Sequence, residues 1–336
     1  MKFSSYILLA ICAILLSMNI CSAQDPELTQ FYAAPVFTNP AFCGSTKQVR
    51  ITNSIRNQHT VLKDNYQTMV TSIDAYSGNM RGGLGLIFMG DRAGTANITT
   101  TAISGIYSYN VDLNRNLALN AAIQGSYVQS GIDGSRFLFP DMLDKRLGSI
   151  YQTKEQIQSF EQKNYLNFAT GILLYNSKFY GGLAVHNLLQ PNQSFVTSNS
   201  NKEEYNLPRR YTAHFGINLD LVQSRIESKR VSLLPNVLFM NQLNFYQLNI
   251  GMYLKDKNIN IGGWLRQTSR NTESYIVMVA YRRPNFRIGY SIDFILSTND
   301  APSSASHEIT IGYEFKTKGR SRKFIRKSYI KDPVFN

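Results

Sequence analysis

The chain has 336 residues, a formal net charge of +13 and 12% aromatic residues. This length fits either two domains or one large all-β domain. Two of the three cysteines, Cys12 and Cys21, lie in the first 23 residues. If that stretch is removed, Cys43 stands alone, so a fold stapled by internal disulfides is excluded.

Residues 1–23 have the pattern of a signal peptide. An apolar run covers residues 6–20, and Cys-Ser-Ala at 21–23 places small residues before a cut at Gln24. A membrane anchor is the alternative, but the run is short and has no stop-transfer charges behind it. A lipoprotein is a further alternative, although the isoleucine before Cys21 fits it poorly. No later apolar run approaches about 18 residues, which excludes a helical membrane protein.

The next segment, residues 24–47, is irregular. Its sequence from Gln24 to Ser45, QDPELTQFYAAPVFTNPAFCGS, has neither a helix nor a strand period. The aromatic side chains need burial, whereas the prolines are incompatible with a central strand. We therefore expect this segment to lie against other parts of the protein.

From residue 48 onward, the dominant signal is an alternation with period two. Between Tyr246 and Leu254, for example, every second residue is apolar and most of the others are polar or small. A strand sorts such residues onto two faces, and a helix does not. Fourteen strands are predicted, at residues 48–57, 66–77, 82–91, 97–110, 116–130, 165–176, 179–188, 208–220, 231–241, 245–254, 258–267, 273–282, 285–296 and 306–315. One short helix is predicted around Lys154–Gln162.

The alternation fits both a soluble β-sandwich and a membrane β-barrel, and three features favour the barrel. The predicted strands reach about 10 residues, enough to cross a membrane when tilted. Their number is even. Aromatic residues near strand ends are typical of interfacial girdles; they are Tyr66, Tyr107, Tyr109, Tyr127, Tyr165, Tyr175, Phe179, Phe245 and Tyr281. The predicted fold is an all-β transmembrane outer-membrane barrel of about 14 antiparallel up-and-down strands, spanning residues 48–315.

The links between the strands predict an orientation. Long links, at 131–164, 189–207 and 297–305, fall mainly on one side of the meander, and most links on the other side are short. With both termini in the periplasm, the long links face outside the cell. In this barrel the segment 24–47 begins on the periplasmic side. We expect it to fold into or across the lumen as a plug, with Cys43 as a buried small residue. The alternative is a disordered leader. The candidate plug residues are Phe31, Tyr32, Phe37, Asn39, Pro40 and Phe42.

Residues 316–336 form a basic tail, predicted to be periplasmic. Eight lysines and arginines face only Asp332 there. The basic balance is thus mostly a property of the tail, and no nucleic-acid partner is expected. The tail is either a solvated terminus or a docking element for an acidic periplasmic partner.

The sequence shows no pattern typical of a known enzyme site. The four histidines show no metal-ligand spacing, and no glycine-rich phosphate loop follows a strand. A Ser-His-Asn site would need His186 beside Asn187, but neighbours on a strand face opposite ways. We expect a protein that is not an enzyme, with no catalytic residue, metal ion or cofactor. The glycines at 82, 83 and 85 and at 181–182 are expected to ease curvature or leave room in the lumen.

Three residues fall on the lumen parity near the outer mouth: His186, Arg210 and His214. They form either a polar lining or a set that pins the link residues Gln190, Pro191 and Asn192 as a gate or docking element. Sequence alone leaves both interpretations open.

Several stretches resemble the PorP/SprF family, outer-membrane proteins of the type IX secretion and gliding machinery of Bacteroidota. They are the opening QDPELTQFYAAPVFTNPAFCG, then VRITNSIRNQ (49–58), YGGLAVHNLLQPNQSF (180–195), LPRRYTAHFG (207–216) and HEITIGYEF (307–315). Cys43 departs from the resemblance, since a small residue, usually alanine, is expected there.

The resemblance implies an outer-membrane barrel that assists export or surface anchoring of cargo, such as adhesins, by protein–protein binding. The implied partners are outer-membrane lipid, a secreted adhesin or other cargo protein, and other envelope components of the secretion system, the last through the basic tail. The alternatives are a general porin or small-solute channel and a secreted soluble β-protein.

Overall fold

The structure is a computed structural model. It describes residues 25–58, 60, 65–94, 97–114, 116–132, 142–144, 148–149, 162–195, 205–222, 231–269, 273–296 and 305–315. The predicted signal peptide, the basic tail and all but the last residue of the helix predicted around Lys154–Gln162 lie outside the described residues. Within the described part, no helix is both long and apolar enough to span a membrane.

Fourteen strands form one antiparallel sheet in which each strand pairs with its neighbours in sequence. They are β1 (Val49–Gln58), β2 (Tyr66–Ser77), β3 (Gly82–Ala93), β4 (Ile98–Asp112), β5 (Ala118–Gly131), β6 (Lys163–Tyr175), β7 (Phe179–His186), β8 (Arg210–Ile217, continued by Leu219–Val222), β9 (Val231–Gln242), β10 (Phe245–Asp256), β11 (Ile259–Thr268), β12 (Glu273–Arg282), β13 (Phe286–Leu296) and β14 (Ala305–Phe315). A two-residue pair, Leu143–Asp144 with Gly148–Ser149, lies in the link after β5.

The sheet closes on itself because β1 also pairs with β14, from Val49 opposite Phe315 to Asn57 opposite His307. The predicted barrel of about fourteen up-and-down strands is therefore confirmed. Closure leaves no edge strand among the described residues, and so each strand pairs with a neighbour on both sides, as a lipid environment requires.

The two faces of the sheet differ as the alternation predicts. On β1 the inward side chains are polar and buried, and Arg50, Thr52 and Ser54 are each 0–1% exposed. The outward side chains are apolar: Ile55 is 39% exposed there, and Ile250 on β10 is 54% exposed. This inverted arrangement, polar within and apolar without, is that of a membrane barrel. Tyr175, predicted for the aromatic girdle, instead points inward and is 2% exposed.

We call the barrel end where β1 begins the lower rim and the opposite end the upper rim. The upper rim carries the two longest links, residues 132–162 and 187–209, and the lower rim carries the links after the even-numbered strands. The long links thus lie together at one end, as the sequence pattern indicates. Which rim faces the outside of the cell stays a prediction.

Candidate functional site: the lumenal segment and its seat

Residues 25–46, here called the lumenal segment, run through the barrel from the upper to the lower rim. At one end, the backbone N–H of Asp25 donates to Gln242 Oε1 (3.2 Å), where β9 ends at the upper rim. At the other end, the N–H of Gly44 donates to Asp74 Oδ2 (2.8 Å), near the lower end of β2. The segment was expected to begin at the same rim as β1, and the structure places Asp25 at the opposite rim.

The aromatic residues of the segment pack against two sides of the lumen. Tyr32 stacks on Trp264 with ring centroids 4.8 Å apart, and Phe31 meets the same indole edge-on at 6.4 Å. Phe42 lies on the other side and stacks on His214 at 5.1 Å. Phe31, Tyr32 and Phe42 are at most 6% exposed. The burial that these rings need is thus provided inside the barrel, away from lipid.

The two prolines of the segment's middle part begin short helical turns. Helix α1 covers Pro35–Thr38, and a 3₁₀ turn covers Pro40–Phe42. Proline is favoured at the first helical position because its missing N–H would have no partner there. Between the turns, Asn39 caps the second one, with Oδ1 accepting from the N–H of Ala41 (2.9 Å). Phe37, another candidate plug residue, is half-buried at the end of α1.

The carboxamide of Asn39 also joins the segment to the barrel wall. Its Nδ2 donates to the carbonyl oxygens of Ile172 (3.1 Å) on β6 and Leu183 (3.3 Å) on β7. The same nitrogen lies 3.0 Å from Nε2 of His214 on β8. A methyl group added at Gly171 would overlap this carboxamide. One side chain of the segment therefore contacts three consecutive strands.

The predicted lumen residues His186, Arg210 and His214 all meet the lumenal segment. His186 Nε2 donates to the carbonyl oxygen of Thr38 (3.3 Å), and Arg210 Nη1 lies 3.4 Å from Asp25 Oδ2. Together with the contact between His214 and Asn39, these interactions hold the segment at its start and its middle. The structure thus gives the three side chains a shared neighbour that sequence analysis did not identify.

Asn187 was expected to face away from His186, and this expectation is wrong. β7 ends at His186, and Asn187 adopts a left-handed conformation with φ of 60°. This change of backbone direction turns the amide inward, where Nδ2 donates to Asp25 Oδ2 (2.7 Å). Strand parity does not extend beyond the end of a strand, which is why the expectation failed here.

The link residues Gln190, Pro191 and Asn192 form a short ladder with the returning part of their own link. The carbonyl oxygen of Pro191 accepts from the N–H of Leu207 (2.9 Å), and Asn192 pairs with Asn206. Gln190 has a φ of 48° and donates its N–H to the carbonyl oxygen of Asn187. The ladder gives this link a defined shape at the upper rim. Its role as a gate or docking element stays a prediction.

The carbonyl oxygens of the segment receive hydrogen bonds from side chains of the wall. An irregular buried segment needs such donors because it has no sheet or long helix to satisfy its backbone. Five side chains of the wall each donate to one carbonyl oxygen of the segment. They are Arg56 to Glu27 (2.6 Å), Arg287 to Ala33 (3.3 Å), Asn120 to Ala41 (3.0 Å), Arg50 to Phe42 (3.3 Å) and Ser108 to Cys43 (2.6 Å). Side chains of the polar lumen lining thus satisfy part of the backbone of this segment.

A charged network surrounds residues 27–30 in the upper half of the lumen. Asp293 pairs with Arg266 and with Arg56, whose Nη2 lies 3.4 Å from Asp293 Oδ2. Glu308 accepts the backbone N–H groups of Thr29 and Gln30, the latter at 3.1 Å. Charged groups taken out of water need both counter-charges and hydrogen bonds. The segment supplies the Glu27 carboxylate as a counter-charge and the N–H groups of Thr29 and Gln30 as hydrogen-bond donors.

Glycines of the wall and of the segment itself allow the two to approach closely. Gly44, with a φ of 69°, lies so close to β3 that a methyl group there would come within 2.5 Å of Gly83 Cα. A methyl group at Gly85 would come within 2.8 Å of Cys43 Sγ. The sequence suggested either curvature or space for these strand glycines, and at Gly83 and Gly85 the structure shows close approach of the segment. The Cys43 thiol is fully buried, and this burial raises its pKa; the Asp74 carboxylate raises the pKa further, whereas Arg50 lowers it.

The sequence pattern of a known family covers nearly the whole barrel. The pattern described as the type IX secretion system membrane protein PorP/SprF matches residues 20–313. The chain belongs to this family. The match includes the lumenal segment and thirteen complete strands, and it ends within β14. No curated protein sequence matches the chain.

Solved structures similar to this PorP/SprF protein are outer-membrane barrels. One is described as the CymD monoaromatic hydrocarbon channel, with 10% sequence identity, a TM-score of 0.51 and coverage of 85% of this chain and 94% of that chain. Another is the toluene transporter TodX of P. putida, with 10% identity, a TM-score of 0.46 and coverage of 83% and 93%. The KdgM porin has 8% identity, a TM-score of 0.35 and coverage of 80% and 100%. At these identities the likeness to CymD shows the fold alone.

Proposed function

We propose that this outer-membrane barrel is a binding component of the type IX secretion machinery that assists export or surface anchoring of cargo proteins such as adhesins. The observation that carries the proposal is the family match over residues 20–313, together with a lumen occupied by the chain's own segment. A barrel filled in this way offers its rims and links to other proteins. Its action is binding and not catalysis.

In the proposed orientation, the upper rim faces the outside of the cell and the lower rim faces the periplasm. The links at 132–162 and 187–209 then meet the exported protein at the cell surface. The basic tail, residues 316–336, follows β14 at the lower rim and lies outside the described residues. We assign to it electrostatic docking on an acidic periplasmic component, which salt would weaken.

The alternative function is a general porin or small-solute channel. The fold of the CymD channel is similar, but that likeness carries no substrate over to this chain. A porin requires a water-filled path, whereas the lumenal segment packs aromatic and hydrogen-bonded side chains across this lumen. Planar-bilayer recordings separate the two functions. A stable, large ion conductance of the purified chain would favour the channel, and little steady conductance is expected for the binding component.

The experiment that tests the proposal is affinity purification of the tagged chain from outer membranes, with identification of the proteins that accompany it. We expect an exported surface protein and envelope components of the secretion system. Purification of a folded barrel without either class of protein would contradict the proposal. Heat-modifiable gel migration checks the fold in every sample, and extraction only by detergent checks that the chain resides in the membrane.

Two variants assign the contacts. Deletion of residues 316–336 is expected to remove the periplasmic components and keep the exported protein, because the tail follows β14, which ends at the lower rim. The double variant His186→Ala/Arg210→Ala is expected to reduce cargo display at the cell surface. Unchanged co-purification after the deletion rules out docking by the tail, and normal display with normal folding rules out a role for the two lumen residues in display.

A further inference from the structure

The first residues of the lumenal segment are held differently from the rest. The side chains of Asp25 and Glu27 are 16% and 21% exposed, whereas the run from Leu28 to Val36 is buried throughout. Residues 25–28 form no helix, strand or turn. The start of the segment is thus the layer that water reaches at the upper rim, above a tightly packed remainder.

Three arginines of the wall face the two carboxylates of this layer. Arg210 Nη1 lies 3.4 Å from Asp25 Oδ2, and the Glu27 carboxylate lies 3.7 Å from Arg266 and 3.9 Å from Arg56. These distances are at the long end for ion pairs. Because these contacts are long and water reaches both carboxylates, this layer is the part of the segment that another ligand could replace.

The wall retains hydrogen-bonding capacity at this place. Arg210 Nε and Arg266 Nη2 are buried, and neither has a hydrogen-bond partner within the described part of the chain. The Arg266 side chain is 6% exposed. Buried polar groups of proteins nearly always have a partner, and such exceptions mark places where a ligand or water completes the network. The same two guanidinium groups place their Nη1 atoms within 4 Å of a carboxylate, Arg210 near Asp25 and Arg266 near Glu27.

The geometry points to a ligand class. Two carboxylates separated by one residue, with Cα atoms at most about 7 Å apart, reach different arginines of the wall. Asn187 and Gln242 contribute hydrogen bonds to the Asp25 side chain and backbone. Arg56 binds the Glu27 carbonyl oxygen (2.6 Å). Such a site recognises a short acidic peptide by its charges and its main chain.

We propose that the upper lumen is a binding site for an acidic peptide segment of the exported protein, with two carboxylates two positions apart, and that residues 25–27 occupy this site when the exported protein is absent. The partner's identity as an exported protein rests on the proposed function; the site itself does not. Exchange at residues 25–27 leaves Leu28 and the residues after it in place. The barrel therefore binds cargo without unplugging.

The test uses the chain's own sequence as the probe. A variant of the full chain that lacks residues 24–27 presents the site without its internal ligand. The probe is a C-terminally amidated peptide with the sequence of residues 24–27, QDPE, labelled with a fluorophore at its N-terminus, and its binding in detergent is followed by anisotropy. We expect the deletion variant to bind this peptide at least tenfold more tightly than the parent chain does. The neutral peptide QNPQ is expected to bind at least tenfold more weakly than QDPE.

A matched pair of arginine variants locates the site. In the deletion variant, Arg210→Ala should weaken peptide binding at least tenfold. Arg209→Ala should leave binding within about twofold, because Arg209 is exposed and its Nε contacts only the Leu188 carbonyl oxygen, at 3.4 Å, among the hydrogen bonds seen here. Equal effects of the two variants, or equal binding of the acidic and neutral peptides, would overturn the proposal.

A second variant covers the case in which the deletion prevents insertion into the membrane. Asp25→Asn/Glu27→Gln keeps the length of the chain and removes only the two negative charges of the internal ligand, so the acidic peptide should bind this variant more tightly than it binds the parent. If either variant shows heat-modifiable folding and neither binds the peptide better than the parent, the site does not exist. Peptide binding without any accompanying exported protein in membrane purifications would keep the site and contradict the proposed function. Co-purification of an exported protein without peptide binding would support the proposed function and contradict the site.

Discussion

Arg50 and Asp74 form an ion pair in the lower half of the lumen, with Arg50 Nε 2.8 Å from Asp74 Oδ1 and both side chains completely enclosed. They are direct cross-strand partners on β1 and β2. The pair also holds the end of the lumenal segment: Asp74 Oδ2 accepts from the N–H of Gly44, and Arg50 Nη2 donates to the Phe42 carbonyl oxygen. The barrel wall and the segment thus share one buried charge network.

Removing one member of this pair should destabilise both the wall and the segment. Asp74→Asn keeps the shape of the side chain and leaves the Arg50 guanidinium enclosed without its counter-charge, which costs about 3–5 kcal/mol for buried pairs. We expect a lower temperature for the heat-induced shift in gel migration. Asp112→Asn is the control, since Asp112 is exposed at the lower end of β4 and exposed pairs contribute about 0–1 kcal/mol. Equal shifts for the two variants would contradict the importance of the pair.

The close contact between Gly171 and the lumenal segment gives a prediction that depends on shape alone. Gly171→Ala places a methyl group against the Asn39 carboxamide and 3.3 Å from Pro40 Cδ. Overpacking of this kind costs about 1–3 kcal/mol and should loosen the middle of the segment. Gly105→Ala is the matched control, because a methyl group at Gly105 on β4 meets nothing within 4 Å. The measurement is the rate at which Cys43 reacts with a thiol reagent, which should rise for Gly171→Ala and stay unchanged for Gly105→Ala.

Cys43 itself should be nearly inert in the folded chain. The thiol is fully buried, and because burial raises its pKa, the thiol stays protonated while an ordinary cysteine ionises between about pH 7 and pH 9. Labelling of the peptide that carries Cys43, measured by mass spectrometry, should be slow and should not accelerate over this pH range. The control is Ser177→Cys/Cys43→Ala, with its thiol in the exposed link after β6, which should react faster as pH rises. Rapid labelling of Cys43 before denaturation would contradict the packing of the lumenal segment inside the barrel.

The sequence was sufficient for the strands and insufficient for the segment's path. The limits of β2 and β12 were predicted to the residue, because the alternation between lipid and lumen continues along the whole strand. The prediction of strand limits failed where that alternation stops. β7 ends at His186, two residues earlier than predicted, and Asn187 turns inward. The predicted fold thus came from a local pattern that repeats in every strand.

The direction of the lumenal segment had no such local signal. Asn39 meets His214, and Asp25 meets Arg210, across more than a hundred residues of sequence. The polar parity of His186, Arg210 and His214 predicts side chains that point into the lumen, but parity does not name the lumenal segment, which all three contact. The hint that was available lay in the strand glycines, such as Gly83 and Gly85, since a missing side chain in a lumen wall leaves space for a close neighbour.

The fluorescence of Trp264 reports the position of the lumenal segment directly, because Trp264 is the only tryptophan of the chain. Its indole is 3% exposed and is covered by the Tyr32 ring at 4.8 Å. Tyr32→Ala removes this cover and a large buried side chain, a change that costs about 3–5 kcal/mol for aromatic residues in cores. We expect stronger quenching of the Trp264 fluorescence by acrylamide and an emission maximum shifted to longer wavelength.

Two further variants separate loss of the cover from other effects. Tyr32→Phe should keep the weak quenching of the parent, because the buried Tyr32 hydroxyl has no hydrogen-bond partner among the described residues and the ring remains. Tyr211→Ala removes an equal ring from the outward face, where it is 49% exposed, and should also leave the quenching unchanged. If acrylamide quenched Trp264 no more in Tyr32→Ala than in these two variants, the segment would not cover Trp264. The path of the segment through the lumen would then be wrong.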